Sequence, residues 1–112
     1  MRRFDPAYAG MHETLTSGRL GRPLLLHCAH RNAAAPGCFT PEMSITNATV
    51  HEFDILHWLT GLEVVAVTAM RSARKGEGEL RDPILLLLEL EGGVLADVEI
   101  FMNAAYGYDI RA

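Results

Sequence analysis

The sequence predicts an α+β domain in which an open, largely antiparallel or mixed β-sheet carries helices packed on one face. Its patterns follow the order helix, strand, loop, helix and three strands, which is typical of a helical layer on a sheet. The 112 residues suffice for one domain with a core of its own. A hydrophobic fraction of 49% and a charged fraction of 21% are ordinary for a soluble globular domain.

The first helix is predicted to begin at Asp5-Pro6 and to end at Gly18. Asp is a favourable N-cap, and Pro at the first helical position costs no hydrogen bond because the N–H there has no intrahelical partner. Apolar side chains recur at helical spacing at Tyr8, Met11 and Leu15. A strand is then predicted over residues 23–31, followed by a loop over residues 32–44, which contain two prolines and a glycine.

Alternation along this first strand divides its side chains between the two faces of the sheet. One face is predicted to carry Leu24, Leu26, Cys28 and His30, and the other Leu25, His27, Ala29 and Arg31. Cys28 is therefore expected to be a small buried apolar residue. Because no secretory signal precedes Cys28 and Cys38, both thiols are expected to be reduced, in a cytoplasmic protein.

A second helix is predicted from about residue 50 to residue 59, ended by Gly61. Three strands are predicted at residues 63–70, 83–91 and 93–102. The charged connection 71–82 is predicted to be a loop, and Gly92-Gly93 favours a tight hairpin. The apolar strands predict cover on both faces, and residues 104–112 begin a further strand, so the chain is expected to be a fragment of a longer protein.

Net charge and hydropathy exclude several classes of partner. The net charge of -4 and the scattered basic residues give no basis for binding nucleic acid or an anionic membrane. The longest apolar run, residues 84–88, is too short to span a bilayer.

Residues 46–58 place His51, Glu52, Asp54 and His57 in one short segment. On a helical wheel His51 and His57 lie more than 90° apart, so they cannot hold one metal ion from a regular helix. Thr49 and Glu52 have the spacing of a capping box, which would place His51 in the first turn as a neutral base near the positive end of the helix dipole. The alternative is that His51 is a structural residue on a core-facing stripe with Ile55, Trp58 and Leu59.

His30 and Asn32 form a second polar cluster where the first strand enters the loop. Such strand ends commonly contact ligands, although a merely solvated strand end is the alternative. No glycine-rich phosphate loop follows a strand, and no serine stands in a nucleophile-elbow context.

Three segments in order, "MRRFDPAY", "LHCAHRN" and "HEFDILHWL", resemble the C-terminal, substrate-binding domain of the Gfo/Idh/MocA oxidoreductases. Within that family the resemblance is greatest to the inositol 2-dehydrogenases. It implies a parent enzyme with an N-terminal Rossmann domain that binds NAD or NADP, and a homo-oligomer formed through the sheet. The whole of residues 1–112 corresponds to the substrate-binding and oligomerisation domain, without the Rossmann domain, so this fragment alone is expected to be inactive and to bind no cofactor.

The resemblance also assigns roles by position. His51 matches the catalytic histidine that accepts the hydroxyl proton, His30 and Asn32 match polyol contacts, and Arg2 matches a residue near the same pocket. One of Tyr106 and Tyr108 matches a further substrate contact. Asn47 stands where the inositol enzymes usually have Asp, four residues before the histidine, and an amide cannot carry that charge.

Two functions are therefore compared. The first is the substrate-binding domain of an NAD(P)-dependent dehydrogenase of a polyol or sugar, with His51 and Asn47 as its catalytic residues. The second is a non-enzymatic module that dimerises through an exposed sheet face. No metal is expected in either case.

Overall fold

The structure, a computed structural model, describes residues 2–72 and 82–112. Two helices and five strands follow the predicted order: α1 (Pro6–Thr16), β1 (Leu25–Arg31), α2 (Val50–Thr60), β2 (Val64–Arg71), β3 (Ile84–Leu90), β4 (Leu95–Phe101) and β5 (Asp109–Arg111). The strands form one sheet in the order β2-β3-β4-β1-β5. The pair β1 and β4 is parallel and the other pairs are antiparallel, so the mixed sheet predicted from the sequence is confirmed.

Helix α1 begins for the reasons the sequence gives. The Asp5 carboxylate accepts a hydrogen bond of 2.8 Å from the Ala7 N–H, and Pro6 occupies the first helical position. The three predicted apolar residues are all half-buried on its inner side: Tyr8, Met11 and Leu15.

The two faces of the sheet differ in cover. On β3 and β4 the buried side chains alternate with exposed or half-buried ones, and the buried set belongs to the main core cluster. Its members on these strands are Ile84, Leu86, Leu88, Leu90, Ala96, Val98 and Ile100. From β1, Cys28 joins this core and His30 lies on the same face, as alternation predicted. We call this the covered face, and the opposite side, with Leu87, Leu95 and Asp97, the open face.

The hairpin between β3 and β4 is confirmed. Both central glycines have a left-handed φ, 72° at Gly92 and 78° at Gly93, which only glycine adopts without strain. The Leu90 N–H donates to the Val94 carbonyl at 2.8 Å and closes the turn. Of the loop predicted over residues 71–82, residues 73–81 lie outside the described part of the chain.

Helix α2 begins at the predicted residue, and the difference from the prediction lies in the segment that precedes it. It spans Val50–Thr60 and ends at Gly61, whose φ of 69° provides a left-handed C-cap, as predicted. However, a π-helical segment, Ser44–Thr49, runs directly into it. The end of the predicted loop is therefore helical, and the first N–H group of α2 already has partners: the Val50 N–H donates to the Ile45 and Ala48 carbonyls.

Candidate functional site

The candidate site forms where three segments far apart in sequence meet. His30 is the penultimate residue of β1 on the covered face, and Glu52 lies in the first turn of α2. Arg2 belongs to a short 3-10 turn, Arg2–Phe4, that precedes α1. We call Arg2, His30 and Glu52 the buried network, because Glu52 is 0% and His30 6% exposed.

The buried network is held by short polar contacts. Arg2 Nη1 donates to Glu52 Oε2 at 2.5 Å. The second carboxylate oxygen, Glu52 Oε1, lies 3.0 Å from His30 Nδ1, and Arg2 Nη2 lies 3.0 Å from that same ring nitrogen. A fully buried carboxylate is thus supported on both oxygens, as a buried charge requires.

The pKa directions agree with this geometry. Burial alone would raise the pKa of Glu52, but hydrogen bonds from His30 and Arg2 outweigh it and lower that pKa below its ordinary value. Burial has the opposite effect on Arg2 and would lower the pKa of its guanidinium. The hydrogen bond to Glu52 and the charge of that carboxylate outweigh burial, so the pKa of Arg2 is raised. Glu52 therefore carries a negative charge at neutral pH. Burial, reinforced by the charges of Glu52 and Asp97, raises the pKa of the Cys28 thiol to about 12, which leaves it unreactive.

His51 lies at the outer edge of this network. Its ring is nearly parallel to that of His30, with 6.5 Å between centroids and 11° between planes. Unlike His30, His51 is exposed, so it does not belong to a core-facing stripe. Two expectations about its helix are wrong: the π-helical segment removes the free N-terminus beside His51, and the buried stripe consists of Glu52, Ile55, Leu56 and Leu59.

Glu52 occupies a buried position that the sequence pattern did not predict. Thr49 makes no capping bond with its side chain, which donates instead to the Ser44 carbonyl at 2.7 Å, so the predicted capping box is wrong. The signal was present, since 52, 55, 56 and 59 have the i, i+3, i+4, i+7 spacing of a buried helical face. A carboxylate on such a face requires cationic or hydrogen-bonding partners from elsewhere in the chain.

Asn47 lies within the π-helical segment and is exposed. Helical backbone thus continues from His51 back to Asn47, one turn earlier. The Asn47 Oδ1 accepts a hydrogen bond of 3.1 Å from Thr46 Oγ1. Such π-helical turns often occur at functional sites.

The remaining predicted site residues divide between two locations. The Asn32 backbone bonds both Phe101 and Ala104, at 2.9 Å and 2.8 Å, and so fixes the exit of β1 beside the end of β4. Tyr106 packs edge-to-face on Phe101 and lies 5.9 Å from the Arg31 guanidinium carbon, on the open face. Tyr108 is also exposed, but it lies close enough to Arg2 to contribute to the raised pKa of that guanidinium.

Asp54 and His57 lie on the exposed surface of α2 and pair with groups outside the candidate site. Asp54 pairs with Arg3, and His57 Nδ1 lies 3.2 Å from the Leu62 carbonyl and 3.3 Å from Glu63 Oε1. Within residues 2–72 and 82–112, no three His, Cys, Asp or Glu side chains are arranged to hold a metal ion. In the same part of the chain no helix has the length and apolar character that crossing a bilayer demands.

Comparison with known proteins identifies the family. The model of the GFO/IDH/MocA C-terminal domain matches residues 8–112. The chain belongs to this family. Inositol 2-dehydrogenase 1 of Saccharopolyspora erythraea is 53% identical over 113 residues, which cover 99% of this chain and 34% of the relative. The inositol 2-dehydrogenase of Streptomyces avermitilis is 50% identical, with 99% of this chain and 33% of the relative covered.

A solved structure agrees in fold. The myo-inositol dehydrogenase from Lactobacillus casei, in complex with NAD(H) and myo-inositol, superimposes with a TM-score of 0.90 at 30% identity, over 97% of this chain and 33% of that one. The family resemblance noted in the sequence is therefore confirmed. The chain spans about a third of the length of the curated relatives it matches.

Proposed function

We propose that this chain is the substrate-binding domain of an NAD(P)-dependent dehydrogenase that oxidises a hydroxyl of inositol or a similar polyol. The observation that carries the proposal is the exposed His51 ring stacked beside His30, which the buried Glu52 and Arg2 hold from behind. An accessible imidazole next to fixed polar groups is suited to hold a hydroxyl and remove its proton. The identity of 53% to an inositol 2-dehydrogenase supports the substrate class.

In the proposed reaction a ring nitrogen of His51 accepts the proton of the reacting hydroxyl. The carbon–oxygen single bond becomes a carbonyl as a hydride leaves the same carbon, so the substrate loses one hydride, which carries two electrons, and one proton. His30 and Arg2 hold neighbouring hydroxyls, and Asn32 fixes the strand end from which His30 projects. Positioning of this kind supplies a large part of the rate in such reactions.

The chemistry that a nicotinamide cofactor supplies is acceptance of that hydride. Within the described residues of this chain no strand leads through a glycine-rich loop into a helix, the arrangement that a dinucleotide site of the Rossmann type uses. We therefore assign the cofactor to a Rossmann domain of the parent enzyme and expect the isolated chain to be inactive. The contribution of this chain is limited to the polyol and its proton.

Asn47 modifies the proposed site. Where an Asp in the inositol enzymes would favour the protonated form of the neighbouring histidine, the uncharged amide of Asn47 does not. We propose that His51 is consequently a weaker proton acceptor and that the polyol preference differs from that of the relatives. Of the two tyrosines, Tyr108 is the better candidate for a substrate contact, because it interacts electrostatically with Arg2 of the buried network, whereas Tyr106 packs on Arg31.

Titration of the 112-residue chain with myo-inositol, followed by NMR, tests the binding role. Chemical-shift changes confined to Arg2, His30, His51 and Tyr108 at millimolar ligand are expected, and a second series with an acyclic polyol compares preference. Asp54→Asn, an exposed change on the same helix, provides the control and leaves the titration unchanged. Absence of shifts at these four residues with every polyol would contradict the proposal.

The proton-transfer role requires a cofactor domain. Exchanging the matched third of the Saccharopolyspora relative for this chain gives a chimera whose NAD-dependent inositol oxidation is measurable. His51→Ala in that chimera is expected to lower kcat by roughly 10²- to 10⁴-fold, the range for a lost general base, with a smaller effect on KM. A fully active His51→Ala chimera would remove the histidine from the mechanism.

Self-association through the open face is the second candidate function. Large apolar side chains are exposed there: Leu25, Leu87 and Leu95. An apolar surface of this kind marks protein contacts. Sedimentation equilibrium tests it: a dimer that Leu87→Lys dissociates, with no response to any polyol, would favour the non-enzymatic module.

A further inference from the structure

The protonation of His30 Nδ1 in the buried network follows from the chemistry of its two neighbours. His30 Nδ1 has two neighbours at 3.0 Å, the carboxylate oxygen Oε1 of Glu52 and the guanidinium nitrogen Nη2 of Arg2. The first neighbour only accepts a hydrogen bond and the second only donates. A single ring nitrogen serves one of them, so the choice fixes the tautomer of His30.

The hydrogen bond between His30 Nδ1 and the Glu52 carboxylate is the more favourable of the two. Glu52 is fully buried, and among the described residues His30 Nδ1 is the hydrogen-bond partner of its Oε1. If Nδ1 carried no proton, the charged Glu52 oxygen would face the lone pair of that nitrogen and would have no hydrogen-bond donor. The free energy cost of such a buried, unpaired charge is far greater than that of one Arg2 N–H without an acceptor. Arg2 already donates to Oε2 through Nη1, and its side chain remains 15% exposed, so water can reach it.

We infer that Glu52 is a positioning residue that holds His30 as the Nδ1–H tautomer and thereby makes His30 Nε2 a hydrogen-bond acceptor for a substrate hydroxyl. Arg2 neutralises the carboxylate from its other side. Histidine tautomers are commonly set in this way by a carboxylate behind the ring. The inference rests on the proposed function for its second half, the hydroxyl, and on the geometry of the buried network for its first half.

This assignment defines the hydroxyl pattern that the site accepts. His51, as proton acceptor, accepts a hydrogen bond from one hydroxyl of the substrate. His30 Nε2 accepts a hydrogen bond from a second hydroxyl. Since the two rings are stacked 6.5 Å apart, both hydroxyls belong to one small polyol. A deoxy analogue lacking the second hydroxyl leaves the buried acceptor unpaired, and sites built to bind a hydroxyl discriminate strongly against such analogues.

The tautomer is measurable on the 112-residue chain without any ligand. Two-bond ¹H–¹⁵N correlation spectra distinguish a protonated, pyrrole-type ring nitrogen from a bare, pyridine-type one. In the unmodified chain at neutral pH, His30 is expected to show a pyrrole-type Nδ1 and a pyridine-type Nε2. A pyridine-type Nδ1 would overturn the inference, whatever the chain binds.

Glu52→Gln tests the cause. The replacement amide has one oxygen, which Arg2 takes, so its NH₂ group turns towards His30 and converts Nδ1 into an acceptor. The spectrum is expected to invert to the Nε2–H form, and Glu52→Asp, which retains the charge, is expected to restore the original tautomer in part. An unchanged tautomer in Glu52→Gln would contradict the role of the carboxylate; Asp54→Asn serves as the matched control.

His30→Asn tests the consequence for binding. The Asn amide reproduces the Nδ1 donor to Glu52 but has no counterpart of Nε2. We expect its stability to stay close to that of the unmodified chain and its myo-inositol affinity to fall at least tenfold; equal affinity would refute the acceptor role. If the tautomer is as expected but no polyol binds even to the unmodified chain, the proposed function fails while the assignment of Glu52 stands.

Discussion

His30 and Arg31 are neighbours on β1, and they lead into two different electrostatic environments. On the covered face His30 contacts Glu52, whose side chain is 0% exposed. On the open face Arg31 pairs with Glu99 at 2.5 Å and with Asp109 at 2.8 Å, but those carboxylates are 31% and 33% exposed. The contact distances are alike, and the difference lies in access to water.

This difference separates a rigid site from an adjustable surface. A buried ion pair that loses one partner leaves a charge without compensation, whereas an exposed pair that is broken is compensated by water and salt. The covered face thus holds His30 in a fixed position, with the His51 ring beside it. The open face can change its charges at little cost.

The largest expected difference between the two faces is the loss of stability when an apolar side chain is truncated. Leu88 and Leu87 are successive residues of β3, 2% and 44% exposed. Leu88→Ala is expected to lower the free energy of unfolding by about 2–5 kcal/mol, because it opens a cavity in the core. Leu87→Ala, the matched control on the open face, should cost less than about 1 kcal/mol. Urea unfolding followed by circular dichroism measures both, and equal losses would show that the open face is covered in solution.

The strand pattern that underlies this prediction was visible in the sequence. Alternation and the Gly92-Gly93 turn gave β3, β4 and their pairing, because period-2 burial and hairpin closure are local properties. The parallel pairing of β1 with β4 and the sheet order β2-β3-β4-β1-β5 were not given, since they depend on contacts between segments about 70 residues apart. The π-helical segment Ser44–Thr49 was also missed, because no residue type specifies π-helix.

The second difference concerns two glutamates, the buried Glu52 of the covered face and the partly exposed Glu99 of the open face. Glu52→Gln is expected to lower the free energy of unfolding by about 3 kcal/mol, at the lower end of the range for a broken buried pair, since the amide still fills the space. Glu99→Gln on the open face should cost no more than about 1 kcal/mol. Thermal and urea unfolding of the two variants provide the measurement. A Glu52→Gln loss as small as that of Glu99→Gln would mean that water reaches the buried network.

The candidate site was recoverable from the sequence only in part. The motifs gave His51, His30 and Arg2, because they lie in segments that resemble one family. Glu52 was misassigned as a cap, since its true partners come from residue 2 and residue 30, and the sequence alone does not show that those segments meet. The residue that orients the site was thus the one whose role depends most on tertiary structure.

The smallest effect, and the most specific, is in the pH dependence of stability. The pKa of Glu52 is lowered in the folded chain from its ordinary value of 4.5, because the bonds from His30 and Arg2 outweigh burial. Its contribution to stability is therefore complete above pH 4.5 and is lost as the pH falls through the lower, folded pKa. The stability difference between the unmodified chain and Glu52→Gln should be constant near neutral pH and shrink in acid, where a protonated carboxyl and an amide are nearly equivalent.

High salt distinguishes the contribution of Glu52 to this pH dependence from that of Asp54, an exposed acid on the same helix. Hydrogen bonding to Arg3 also lowers the pKa of Asp54, but Asp54 and Arg3 are 48% and 41% exposed. At about 1 M salt, where the screening length falls to about 3 Å, any acid dependence removed by Asp54→Asn should largely disappear. The dependence removed by Glu52→Gln should persist, because solvent ions do not reach the buried carboxylate. Unfolding curves from pH 3 to pH 7 at low and high salt, taken at roughly half-unit steps around the ordinary carboxyl pKa, measure both; loss of the Glu52 dependence in salt would place that carboxylate in contact with water.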